Sequence, residues 1–189
     1  SEGILIVNAE VLPTASEYQE PGPPDEDSIE LARVVDRGIR ESKMVDFSKL
    51  LIEPAKQVYT VFVDISVLGM DGNLFDASSY AAVAALMTSS FNVYRMENDI
   101  PVRTEDKMAM PLADLAVSLT FAKIGGSIVL DPTWEEEGIM DARLTAMQKG
   151  GSGGLKIDDV FQIVDAGKAK YLDIRKKIEE AVENAKSGN

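Results

Sequence analysis

The chain has 189 residues, 45% hydrophobic and 27% charged, and its 19 Lys and Arg against 32 Asp and Glu give a formal net charge of −13. It contains neither cysteine nor histidine, which excludes Cys/His zinc sites, Ser-His-Asp and Cys-His nucleophiles, thiol redox chemistry and disulfide scaffolds. Any chemistry here rests on carboxylates, arginine, lysine and backbone, and the acidic balance argues against indiscriminate nucleic-acid binding, which depends on cations neutralising phosphates. No apolar run approaches the roughly 20 residues of a membrane span, and Ser1-Glu2 opens no signal peptide. The chain reads as one cytosolic, globular domain.

Gly3 to Leu12 is β-rich, and Pro13 to Pro24, with four prolines, is a loop. Asp25 is the expected N-cap of a helix over about 26 to 42, with Asp25, Glu26 and Asp27 at its positive end and Ile29, Ala32, Val35 and Ile39 as its apolar stripe. Gln57 to Leu68 reads as a strand, and Asp71-Gly72 turns the chain into a helix from about Asp76 to Thr88 that is small or apolar on nearly every side, so it should lie buried. Leu115 to Ile124 and Ser127 to Leu130 form a predicted hairpin around Gly125-Gly126. An acidic turn or short helix over Pro132 to Gly138 leads into a predicted strand from Ile139 to Gln148. After the glycine-rich stretch Lys149 to Gly154, a last helix runs from about Ile157 to Ala185. Its inward side carries Ile157, Val160, Phe161, Val164, Tyr171, Ile178 and Val182, with Lys168, Lys176 and Lys177 mostly outside. Alternating strand and helix blocks predict an α/β or α+β layered fold.

Four features could carry chemistry. Arg33, Arg37 and Arg40 share one face of the first helix. They fit either a salt-bridged surface, through Glu30–Arg33, Asp36–Arg40 and Arg37–Glu41, or a stripe of guanidinium forks for phosphates. Asp131, Glu135, Glu136, Glu137 and Asp141 could hold Mg²⁺ or act as acid and base, or could be ordinary surface acids. The glycines from Gly150 to Gly154 precede a helix, but Lys156 stands wrongly for a phosphate-binding loop, so a flexible entry segment is expected. Trp134, the sole tryptophan, reads as a packing anchor rather than a base-stacking platform.

Taken together, ILIVNAEVLP, EPGPPDEDSIELARVVDRGIRESK, LLIEP, DGNLFDASSYAAVAAL, LDPTWEEEGIMDARLT and MQKGGSG resemble, in order, the ribonuclease PH family, most closely the non-catalytic ribonuclease PH-like subunits of the archaeal RNA exosome. The resemblance implies a two-layer α/β (α+β) fold of a mixed sheet and packed helices. It also implies alternation with a catalytic ribonuclease PH-like partner in a hexameric ring that degrades single-stranded RNA from its 3′ end by phosphorolysis, with RNA-binding cap proteins on the ring. Catalytic members carry adjacent arginines before the first long helix and another after the Asp-Gly turn, where this sequence has Pro23-Pro24-Asp25-Glu26 and Leu74-Phe75-Asp76. Without those cations little holds inorganic phosphate, and an aspartate there would repel it.

The resemblance therefore implies a subunit with no catalytic residue, metal or cofactor of its own, although Asp141 occupies the family's catalytic aspartate position. Arg33 and Arg37 match positions from which such subunits lend arginines to RNA. A self-sufficient phosphorolytic exoribonuclease and a pure assembly scaffold are the alternatives. Family members also have strands preceding Gly3 to Leu12 and a longer hairpin where Ile139 to Gln148 passes through Thr145-Ala146; this sequence shows neither.

Overall fold

A computed structural model describes residues 2–15, 22–53, 56–145, 148–150 and 154–188, with 148–150 described by backbone alone. The sequence folds into an α+β arrangement. Strand β1 (Ile4–Val11) pairs in parallel with β4 (Thr60–Val67), from Ile4 opposite Thr60 to Val11 opposite Val67. A parallel pair needs a long crossover, and here it contains helix α1 (Glu26–Glu41), a 3₁₀ turn at Phe47–Lys49, and the short strands β2 (Leu51–Glu53) and β3 (Gln57–Val58). Asp25 caps α1 as expected, its Oδ1 accepting from the Ser28 N–H at 2.8 Å.

Helix α2 (Leu74–Thr88) begins two residues earlier than the sequence predicts, with Asn73 as its N-cap in the left-handed region. Next comes a hairpin that the sequence reading leaves blank, β5 (Ser90–Glu97) with β6 (Ile100–Ala109). Its turn residues Asn98 and Asp99 both take positive φ, as a two-residue hairpin turn of this hand requires. An antiparallel sheet follows in the order β10-β9-β7-β8, built from β7 (Thr120–Ile124), β8 (Ser127–Leu130), β9 (Ala142–Thr145) and β10 (Gln148–Gly150). The six-residue helix α3 (Trp134–Ile139) and the long α4 (Ile157–Ser187) complete the chain.

The main core lies where α1 and α2 cover one face of the β1–β4 pair and α4 packs against α2. Leu5, Val35, Ile39, Met44, Leu50, Val83 and Ile178 meet there; each large aliphatic side chain so buried contributes about 1.5–3 kcal/mol. A second cluster joins Ala9, Leu31, Val34, Val67 and Phe75, and a third joins Leu119 and Phe121 of the antiparallel region to Ile163 of α4.

Several expectations need correcting. Ile139 to Gln148 is not one strand: Ile139 closes α3, and β9 and β10 pair antiparallel with Thr145 opposite Gln148, residues 146–147 lying outside the described residues. The first hairpin strand begins at Thr120, because Leu115 to Ser118 runs as irregular chain against Tyr80 and Tyr171. Ile29 is exposed and Leu31 and Val34 are buried in its place. On α4 the buried residues are Ile163, Ile178 and Val182, whereas Ile157, Phe161 and Val164 face solvent; the helix meets the core mainly through its C-terminal half. Among the described residues no helix is long and apolar enough to cross a membrane.

Candidate nucleic-acid interface

Helix α1 sorts its three arginines by their neighbours. Arg40 is tied into the fold: its Nη2 donates to Asp36 Oδ1 at 2.7 Å and to the Leu5 carbonyl at 3.1 Å, and the Asp36 bond raises its pKa further. Glu30, expected to pair with Arg33, reaches instead across to Arg143 on β9 at 3.0 Å. Arg33 is consequently exposed and forms no ion pair among the described residues, one helical turn from the exposed Arg37. Two guanidinium groups therefore project together from a helix whose opposite side is fixed in two apolar clusters.

Beside Arg37 lies a cleft of about 310 Å³ between the C-terminal half of α1, the irregular segment 114–118 and Tyr171 of α4. Val34, Gly38, Leu115 and Val117 give it a largely apolar wall, with Ser42 and Ser118 at its polar points. Asp114 on its rim is already engaged, accepting from Arg175 Nη1 at 2.6 Å and from the Leu115 N–H at 2.8 Å; the Leu115 N–H, and then Arg175, hold its carboxyl below the usual range.

The acidic candidates do not form one site. Asp131 Oδ1 accepts from Asn73 Nδ2 at 2.6 Å, and Asp141 Oδ2 accepts from the Gly125 N–H at 2.8 Å, bracing the β7–β8 turn. Glu136 closes a capping box with Thr133 at the start of α3. Burial pushes the half-buried Glu137 carboxyl above its ordinary range, despite a hydrogen bond from the Asn73 backbone. Among the described residues no three acidic side chains converge on a metal position. Trp134 is 57% exposed rather than a packing anchor. It stands in a second cleft of about 370 Å³ with Asp25, Asp27, Glu30 and Glu137, where the single cation among the described residues, Arg143, is paired with Glu30 and stacked 3.9 Å over Phe75.

Asp76 also corrects the sequence reading. It is not an open anion poised to repel phosphate but a buried acceptor at the start of α2. Its carboxylate takes hydrogen bonds from Asn73 Nδ2 at 2.9 Å, the Thr120 N–H at 2.9 Å and Thr120 Oγ1 at 2.8 Å, and Thr120 Oγ1 lies 2.9 Å from Thr145 Oγ1. This network joins α2 to β7 and β9. Of the glycine run, Gly151 and Gly153 lie outside the described residues, and Gly154 precedes α4 in an exposed connection.

Two exposed arginines one turn apart on α1, and carboxylates tied separately into caps and turns, make up the candidate surface. Residues 1–92 match domain 1 of the 3′ exoribonuclease family and residues 114–170 match domain 2, and the chain belongs to this family. It is 45% identical over 195 residues to the exosome complex component Rrp42 of Thermococcus gammatolerans, covering 97% of this chain and 71% of that protein. The corresponding protein of Pyrococcus furiosus is 44% identical, with 97% and 70% covered.

Among solved structures, a chain of the Archaeoglobus fulgidus exosome with RNA bound to the active site superposes with a TM-score of 0.79 at 42% identity, over 95% of this chain and 71% of that one. An archaeal exosome core gives 0.78 at 41% identity, over 94% and 69%.

Proposed function

We propose that this chain is a non-catalytic ring subunit of an exosome-type 3′-to-5′ phosphorolytic exoribonuclease, which positions RNA through Arg33 and Arg37 for an active site supplied by a catalytic ribonuclease PH-like partner. The relatives, named exosome complex components, support the assembly. The observation that carries the RNA role is the pair of exposed guanidinium groups one turn apart on α1, with Arg33 making no ion pair among the described residues while Glu30 pairs with Arg143. Two such groups at this spacing suit successive phosphates, and guanidinium forks match phosphate oxygens bidentately. The non-catalytic reading is supported by the second cleft, whose described lining holds four carboxylates and, as its one cation, an arginine already paired with Glu30, so that none of these residues offers a free cation to inorganic phosphate. RNA-binding cap proteins complete the proposed assembly, which would work in the cytoplasm.

The test is reconstitution. Phosphate-dependent degradation of single-stranded RNA is measured for the chain, for its catalytic partner and for the mixture; activity in the chain alone overturns the non-catalytic reading. Arg33→Glu with Arg37→Glu is expected to leave the mass of the assembly unchanged while weakening RNA binding and turnover. If two phosphate contacts are lost, the slope of log affinity against log salt flattens by about 1.4 for single strands. Unchanged affinity and rate would reduce the chain to a scaffold.

A further inference from the structure

Gly38 stands in the interior of α1, where glycine costs about 1 kcal/mol relative to alanine. Neither backbone nor packing asks for it. It lies outside the positive-φ region, and a Cβ built there would meet no atom within 4 Å beyond its chain neighbours and the adjoining helix backbone. Gly72 is the contrast: its φ is +85° and a Cβ would stand 2.7 Å from the Trp134 nitrogen, so its glycine is required by the fold. The open space at Gly38 is part of the cleft beside Arg37. A helix glycine that the fold does not use, facing a cleft, fits a place where a ligand approaches the backbone closely.

We propose that this cleft takes a nucleobase of the single-stranded RNA whose phosphate is held at Arg37, an inference that rests on the RNA-positioning reading of Arg33 and Arg37. Its volume of about 310 Å³ falls at the lower end of small-ligand sites, roughly 300–1,000 Å³. Its walls suit a flat, partly apolar ring with polar edges. Val34, Leu115 and Val117 are aliphatic, and Ser42, Ser118 and Glu41 supply hydrogen-bonding edges. Tyr171 is fixed in place, donating its hydroxyl proton to the Leu115 carbonyl at 3.5 Å and accepting from Arg175 at 3.1 Å, so an aromatic side chain is held ready at the cleft without further ordering. Continuity with Arg37 favours RNA over a protein segment as the occupant, because a base seated here needs its own phosphate within reach of that guanidinium.

The experiment compares Gly38→Leu with the parent chain in the reconstituted ring, using an oligonucleotide of ordinary nucleotides and a matched one that is abasic at a single position, moved stepwise along the strand. In the parent, one abasic position weakens binding roughly fivefold or more, the loss of one held base. Gly38→Leu fills the cleft, lowers affinity for the ordinary strand by a similar factor, and makes that abasic position indifferent. Photocrosslinking of 4-thiouridine RNA is expected to label the 114–118 segment or Tyr171 in the parent and not in the variant. Gly38→Ala, which adds only a methyl group and strengthens the helix, serves as the control for folding.

If Arg33→Ala with Arg37→Ala weakens RNA while Gly38→Leu leaves affinity and crosslinks unchanged, the base site is wrong and the positioning role stands. If the arginine variant changes nothing, the positioning reading falls and takes this inference with it. If Gly38→Leu instead prevents ring assembly without touching RNA binding, the cleft seats a protein chain and the inference is overturned.

Discussion

The Asp76 network offers the sharpest test of how this fold is held together. Removing the carboxylate in Asp76→Ala strands three donors unequally. Asn73 Nδ2 retains its bond to Asp131, and Thr120 Oγ1 can turn wholly to Thr145, but the Thr120 N–H sits in a residue with no solvent exposure and has no second acceptor in the network. A buried donor left unsatisfied costs about 1–3 kcal/mol, and bonds to charged groups lie at the upper end. Adding the small cavity left behind gives an expected loss of about 3–4 kcal/mol. For a chain of this size that lowers Tm by roughly 6–16 °C. Asp76→Asn keeps the shape but turns one acceptor into a donor, and should cost about 1–2 kcal/mol. Urea unfolding followed by circular dichroism measures both. A loss under about 1 kcal/mol for Asp76→Ala would refute the network's role. Binding of inorganic phosphate by Asp76→Asn would show that the carboxylate faces a phosphate site after all.

Arg143→Ala removes both the Glu30 ion pair and the stacking over Phe75 from a side chain only 13% exposed, and should cost about 2–4 kcal/mol by denaturant titration. Glu137 has a folded pKa raised by burial, so its contribution favours the fold below the ordinary carboxylate range and is lost as pH rises through the raised value. Glu137→Gln should accordingly raise Tm at pH 7, with the gain shrinking as pH falls toward 4. Asp114 has the opposite sign: its lowered pKa gives stability that is present at neutral pH and lost as pH falls below the usual carboxylate range, so Asp114→Asn should matter at pH 7 and not in acid. Gly72→Ala, forced into a positive φ against the Thr133–Trp134 backbone, should destabilise markedly, whereas Gly38→Ala should stabilise by about 1 kcal/mol; thermal melts distinguish the two.

Local chemistry settled a good deal of this molecule. The Asp25 cap, the periodicity of α1, the Gly125-Gly126 hairpin and the extent of α4 were legible because each is decided by residues within a few positions of one another. Sequence motifs likewise carried the family resemblance. What local pattern could not supply was the partner of each side chain. Glu30 and Arg143 are 113 residues apart, Asp76 and Thr120 are 44 apart, and no spacing rule connects them. The same blindness hid the β5–β6 hairpin, whose Asn98-Asp99 turn lacks the usual glycine, and it misjudged the apolar N-terminal half of α4, which the fold leaves exposed.

The absence of histidine and cysteine excluded whole chemistries before any folding was considered, and helical spacing alone put Arg33 and Arg37 on one face. Only the tertiary structure decided that Arg40 is a structural tie, that Arg33 makes no ion pair among the described residues, and that Arg37 stands beside a cleft at Gly38. The physical reason is that charge and helical phase are properties of the chain, whereas burial and pairing depend on which distant segment arrives to compete for each group.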